Sequence, residues 1–263
     1  MARRFFIDIE TLPPHEAIRD RVIEEAAREL RAECIEADAP ELARIADQRF
    51  RDLALRPEHG RVLAVGLVVE EDDGVIHQGV LGRDRETGQF HLDEARTLRS
   101  FWSLLKDFNP GRDLLVGHNI LDFDLQFLCK RSVVCRVRPS FEVCFARFRQ
   151  RPVYDTMWEW NRWRKSISLH ELAEALGIES PKARGMDGGR VYDAFRDGLH
   201  DRIALYCMRD VECAREVYYR LTFLEPPSLK RYGFDASDLT SRTTDRRLVP
   251  SGRQSASAIA RAR

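Results

Sequence analysis

Asp8 and Glu10 in FFIDIETLP, Asn119 and Asp124 in GHNILDFDLQFL, and Tyr206 and Asp210 in ALYCMRDVECA are the residues whose types and spacing could do chemistry in this 263-residue chain. The carboxylates read Asp, Glu, Asp, Asp in chain order, and a Tyr stands four residues before the last. A phosphodiester is anionic and repels hydroxide. Two divalent ions about 4 Å apart remove that obstacle, one generating the nucleophile and the other stabilising the leaving oxygen. Magnesium and manganese prefer oxygen ligands, so a protein that recruits them supplies carboxylates. The pattern therefore points to metal-dependent phosphodiester cleavage.

Each segment also has an ordinary reading. Asp8 and Glu10, two apart on a strand, share one face, but an isolated D-x-E usually faces solvent. Asp124 could simply favour the N-terminus of its helix. Tyr206 and Asp210, four apart on a helix, could be a surface pair. Together the ordinary readings must account for two acids interrupting an apolar strand and for the ordered recurrence of the matching segments.

The elements that would position these residues follow from periodicity. Residues 4–10 read as a buried strand with Phe5, Ile7 and Ile9 on one face and Phe6 on the other, stopped by Pro13 and Pro14. Residues 15–56 read as a charged helical insertion, with Ile18, Val22, Ala26 and Leu30, then Leu42, Ile45 and Phe50, as its apolar stripe. RVLAVGLVV at 61–69 is a strand, and 74–82 is its hairpin partner across Asp72-Asp73-Gly74. A helix is expected over 92–107, a short strand over 113–117, and a helix after it. Residues 129–165 follow no single period, although Tyr154-Asp155 is expected to start a short helix. Ser168 and Glu171 form a capping box for SLHELAEAL, and Gly177 is its C-cap. Helices over 188–196 and 199–223 complete an α/β fold: a mixed sheet flanked by helices, with a helical insertion after the first strand. The folded part is expected to be 1–225. The tail, 226–263, has eight Lys/Arg against three Asp and is expected to be disordered.

Composition sets the remaining bounds. Lys plus Arg equals Asp plus Glu at 43 each, so overall charge gives no hint of a nucleic-acid partner. Its distribution does: residues 129–165 hold ten Lys/Arg against three acids, interleaved with Tyr154, Trp158, Trp160 and Trp163. Such a segment could track phosphates and stack bases, or it could be a solvated face over core indoles. The six Cys form no C-x-x-C pair and are read as reduced thiols. The N-terminus lacks the pattern of a signal peptide, and no stretch approaches the ~20 apolar residues of a membrane span; a cytoplasmic protein is expected. His118 is assigned to the turn after its strand and His170 to the surface. Cys207 and Cys213 are assigned to packing, with Cys207 off the catalytic face. Gly185 to Gly189 lacks the spacing of a phosphate loop.

FFIDIET, HNILDFD and YCMRDV resemble the three motifs of the DEDD superfamily of 3′–5′ exonucleases. The Y-x-x-x-D of Tyr206 and Asp210 marks the Tyr subtype, to which the proofreading domains of family A and family B DNA polymerases belong. In the His subtype a His would stand where Leu205 does. SLHELAEALGI, GMDGGRVYDAF and YCMRDVECAREVYYRL are similar to stand-alone exonucleases related to the family B domain, and the resemblance spans residues 3–224.

The resemblance implies a ribonuclease H-like fold and two ions, Mg2+ or Mn2+. It implies that Asp8, Glu10 and Asp210 bind the first metal, that Asp8 also reaches the second, and that Asp124 helps mostly through water. Tyr206 would orient the attacking water. Asn119, with Phe123 beside it in the motif, would position the scissile nucleotide, and Thr11 and Leu12 would touch the terminal sugar and base. The expected substrate is a single-stranded 3′ end, of DNA in preference to RNA. An exoribonuclease and a non-catalytic nucleic-acid-binding subunit are the alternatives. The chain carries no polymerase module, so proofreading would need a replication or repair partner.

Overall fold

In the computed structural model, which describes residues 2–32, 38–71, 75–180, 188–227 and 230–233, the first strand lies inside the sheet. β1 (Arg3–Leu12) pairs antiparallel with β2 (Arg61–Glu71) and parallel with β4 (Leu114–Gly117). Adding β3 (Val75–Leu81), β5 (Val153–Asp155) and β6 (Lys230–Gly233) gives a six-stranded mixed sheet in the order β5-β4-β1-β2-β3-β6. The interior position explains why β1 and β2 are apolar on both faces. It also explains why two acids in β1 need a reason to be there.

Alternation along β1 separates two layers. Phe5, Ile7 and Ile9 bury against α3 (Glu94–Leu104) and α4 (Asp124–Val134), meeting Leu98, Phe101, Leu125 and Leu128. Phe6 buries on the other face with Val68, Val116 and three residues of α8 (His200–Thr222): Val211, Tyr218 and Tyr219. Asp8 and Glu10 share the parity of Phe6, so they are directed to the α8 side. A register shift follows Glu10, between the Glu10–Ala64 and Thr11–Val62 pairs. Such irregularities re-aim a strand and recur beside active sites.

α8 is held on the sheet at both ends of its contact. Near its C-terminal end the fully buried Glu70 of β2 accepts from Arg215 Nε at 2.6 Å, from Arg4 Nε at 2.9 Å and from the Tyr219 hydroxyl. A buried carboxylate with three donors is satisfied; with one removed it would be a strongly destabilising charge. Near the carboxylates, Gly66 lies opposite Asp8 in the register, and a Cβ there would come within 2.6 Å of Cys207 Sγ and 3.0 Å of Val211 Cγ2. The missing side chain is what lets the helix lie this close.

The insertion forms α1 (Arg19–Ala32) and α2 (Ala39–Asp52). Phe50 of α2 buries with Val22, Leu12 and Tyr192, the last in α7 (Val191–Arg196). Arg51 pairs with Asp193 at 2.8 Å, and the Tyr192 hydroxyl donates to Glu16. The insertion thus packs on α7, beside the end of β1. α5 (Thr156–Asn161) and α6 (Leu169–Leu176) complete the layer that contains α8. Ser168 and Glu171 do form a capping box, and Gly177 closes α6 at φ 68°.

Two expectations change. Tyr154 and Asp155 belong to strand β5, with Asp155 then capping α5, because Val116 and Gly117 leave an open edge that they fill. The tail returns to the sheet as β6, parallel to β3. Beyond 233 it lies outside the described residues, as do Cys34, the turn at 72–74 and Gly185 to Asp187. Among the described residues no helix is long and apolar enough to cross a membrane.

The fit at Gly66 is open to measurement. Gly66→Ala should destabilise by about 1–3 kcal/mol through overpacking. The loss should be smaller when introduced into Cys207→Ala, where the closest opposing atom is gone. Chemical denaturation of the two singles and the double measures the coupling, and strict additivity would refute the contact.

Candidate active site

β1, the loop into α4, and α8 bring the acids together around β1. Asp8 remains partly exposed, whereas Glu10, Asp124 and Asp210 are 5%, 3% and 9% exposed. Ile9 N donates to Asp124 Oδ1 at 3.0 Å, which fixes the third acid directly on the strand carrying the first two. Asp124 also starts α4, where free amides favour its charge. Tyr206 is buried one helical turn from Asp210 and hydrogen-bonds its carboxylate.

The electrostatics follow from packing like charges out of water. Burial, then the charges of Asp210 and Asp124, hold Asp8 and Glu10 well above the usual carboxylate range. Burial pushes Asp124 up to about 7 against the pull of amide donors. Burial, with Asp210 and Glu10 close by, raises the Tyr206 hydroxyl, so it keeps its proton and is a donor rather than a base. These shifts describe a cluster short of positive charge. Glu10 Oε1 is buried with no hydrogen-bond partner, as an oxygen suited to ligate a cation would be. The set is all oxygen, and it fits a hard divalent ion such as Mg2+ or Mn2+.

Cys207 stands differently from expectation. Its Sγ lies 4.0 Å from Asp8 Oδ2 and 3.9 Å from Asp8 O, and one ligand atom each from Asp8, Glu10 and Cys207 fall within 4.8 Å of one another. Asp124 and Asp210 do not join them at that spacing, although their charges bear on Asp8 and Glu10. Cys207 is three residues before Asp210, hence on the same helix face, and that spacing was the signal for it. Burial, then the nearby acids, drive its thiol well above the ordinary range. It is a buried neutral thiol beside the acids rather than a thiolate ligand. Cys213 does pack, against Leu172, Ala173 and Val217.

The loop ahead of α4 has its own anchor. Asn119 adopts φ 59°, a conformation that Asn tolerates better than most residues. Its carbonyl accepts from Phe123 N at 2.9 Å. Asp155 Oδ1 accepts from Asn119 N and Oδ2 from Leu121 N, both at 3.0 Å, while Oδ1 also caps α5 through Met157 N. This buried carboxylate, pushed up by burial to about 6, organises the loop that presents Asn119 and Asp124. Phe123 is partly exposed and packs near Phe127 at 5.6 Å. Thr11 is partly exposed, but the Leu12 side chain is buried with Phe50 and Leu63, so Leu12 offers only main chain to a ligand. His118 serves the turn: its ring bonds Thr156 Oγ1 at 3.0 Å and Ile167 O at 2.9 Å, and burial lowers its pKa.

Residues 54–238 match the family described as "Predicted 3'-5' exonuclease related to the exonuclease domain of PolB". The match takes in Asn119, Asp124, Tyr206 and Asp210, whereas Asp8, Glu10 and most of the insertion precede it. No curated protein matches the chain.

The raised pKa of Asp124 has a sign that can be checked. Its ordinary value is 3.8 and its folded value about 7, so the folded protein binds a proton there that the unfolded chain releases. The associated stability is fully present below about 4 and is lost as pH rises through about 7. Without divalent ions, Asp124→Asn should therefore gain on the wild type as pH rises across that window, read as the difference in thermal midpoint. Magnesium or manganese at the upper end should raise the wild-type midpoint and narrow the gap. A gap independent of pH would refute the assignment.

Proposed function

We propose, on the premise that this chain belongs to the predicted 3′–5′ exonuclease family related to the PolB exonuclease domain, that it hydrolyses phosphodiesters at single-stranded 3′ ends, of DNA in preference to RNA, releasing nucleoside 5′-monophosphates. The observation that carries the reading is the convergence of Asp8, Glu10, Asp124 and Asp210, partnerless at Glu10 Oε1, beside a protonated Tyr206.

Asp8, Glu10 and Asp210 would hold one divalent ion, and Asp8 with Asp124 a second, Mg2+ or Mn2+ in either place. When bound, such a pair activates water and neutralises charge at the leaving oxygen. The chain itself supplies orientation. Tyr206 keeps its proton at Oη and is anchored by Asp210, so its hydroxyl can hold the attacking water in line without removing its proton. Asp155 fixes the loop from which Asn119 would position the scissile nucleotide, with Phe123 next to it. Thr11 and the Leu12 main chain, directly after Glu10, would meet the terminal sugar and base. Pre-positioning these groups lets substrate bind without rearranging the site.

A 5′-labelled single-stranded DNA incubated with the protein and magnesium or manganese should give a descending ladder. EDTA, or Asp8→Ala combined with Glu10→Ala, should abolish it; no ladder on DNA or on matched RNA would refute the proposal, and faster cutting of RNA would reassign the substrate. Tyr206→Phe should keep the fold and lower kcat by about 10²-fold, the scale expected for a misplaced reactant. Unchanged kcat would remove Tyr206 from the mechanism.

A further inference from the structure

Between α4 and α6 lies a ledge of aromatic side chains that the carboxylate site does not use. The indoles of Trp158 and Trp163 are 5.7 Å apart and within 3° of parallel, and Phe148 meets Trp163 at 4.9 Å. The Arg147 guanidinium lies 5.6 Å from the Trp158 ring. Phe148 is 76% exposed and Trp160 40%. Phe148, Arg162 and Trp163 hold φ of 61°, 50° and 64°, a backbone region that bulky residues rarely enter. Trp158 and Trp163 are half-buried, Trp163 in part against the core, but Phe148 stays in water on an unfavourable backbone, an arrangement that pure packing would not select.

The ledge is tied to the candidate active site. Asp122, two residues before Asp124, accepts from Arg147 at 2.5 Å and from Trp158 Nε1 at 2.9 Å. Asp155, which caps the helix bearing Trp158, also holds the Asn119 loop. One loop thus links the two surfaces. The surrounding segment, 129–165, carries ten Lys/Arg against three acids.

We propose that Phe148, Trp158 and Trp163, with Arg147, form a second binding subsite that takes the bases of single-stranded DNA on the 5′ side of the terminal nucleotide. Flat π faces accept any unpaired base, and the basic surround matches a phosphate chain. The direction of the strand rests on the exonuclease reading; the binding itself does not.

The full chain carrying Asp8→Asn and Glu10→Gln is titrated with short oligothymidylate, following tryptophan fluorescence. Quenching that weakens with added salt is expected. Adding Phe148→Ala should weaken binding about tenfold, within the range for loss of one stacked base, while Leu92→Ala, at a 51% exposed position ahead of α3, serves as the control and should not. In the otherwise wild-type chain, Phe148→Ala should lower about tenfold the ratio of kcat/KM for the oligonucleotide to that for a dinucleotide. Ladder formation with that ratio and the quenching both unmoved would overturn the subsite and leave the exonuclease reading standing. Phe148-dependent quenching without any cleavage would do the reverse. Absence of quenching by DNA, with an acidic peptide or RNA quenching instead, would also overturn it.

Discussion

Carboxylates packed together away from water repel one another, and most of this fold can be understood as the framework that keeps four of them in place. Every contribution at Asp8 and Glu10 favours the protonated, uncharged form. Left to themselves, such side chains would swing to solvent. They cannot, because β1 is an interior strand clamped by β2 and β4, with apolar residues on either side of each acid. Asp124 is held by an amide of that same strand. Asp210 rides on a helix that Gly66 admits to close range and that the Glu70 network fastens further along. A divalent cation placed among these acids would relieve their mutual repulsion, so its binding and the charged state of the acids would favour each other.

This dependence explains the distribution of buried charge. Glu70 and Asp113 are also fully buried, yet each lies against arginine: Glu70 with Arg4 and Arg215, Asp113 with Arg3 at 2.7 Å. Asp8 and Glu10, by contrast, lie against other acids, and a lone oxygen of Glu10 goes without a donor. The contrast separates structural carboxylates from functional ones better than burial does, since both kinds are buried.

Much of this was legible in the sequence because the informative residues break a local rule. Two acids in the apolar run FFIDIET, a capping box ahead of LAEAL, and a Tyr and Asp one helical turn apart are each visible at short range. Cys207 needed only the i, i+3 relation to Asp210, but its small apolar side chain reads as core in any helix. Asp155 was harder. Its work is done through main-chain amides of residues 34 and 36 positions earlier, and no side-chain pattern records a main-chain donor. β5 and β6 are three and four residues long, too short to show a period, and both are recruited by sheet edges built elsewhere in the chain.

The placement of the insertion follows from the same geometry. It leaves the sheet just after Leu12, at the last β1–β2 pair, Leu12–Arg61, and returns at β2. A long excursion between adjacent antiparallel strands is tolerated because loop closure grows only slowly with length, provided the strands find each other through their own burial. β1 and β2 do, residue for residue from Arg3–Glu71 to Glu10–Ala64. The family match begins only near the end of the insertion, yet the two acids that precede it still meet the two that follow. Strand pairing, rather than proximity in the chain, carries Asp8 and Glu10 to their partners. The insertion can therefore vary in length and sequence without moving the acids, so long as Phe50 and its neighbours continue to cover Leu12 and α7.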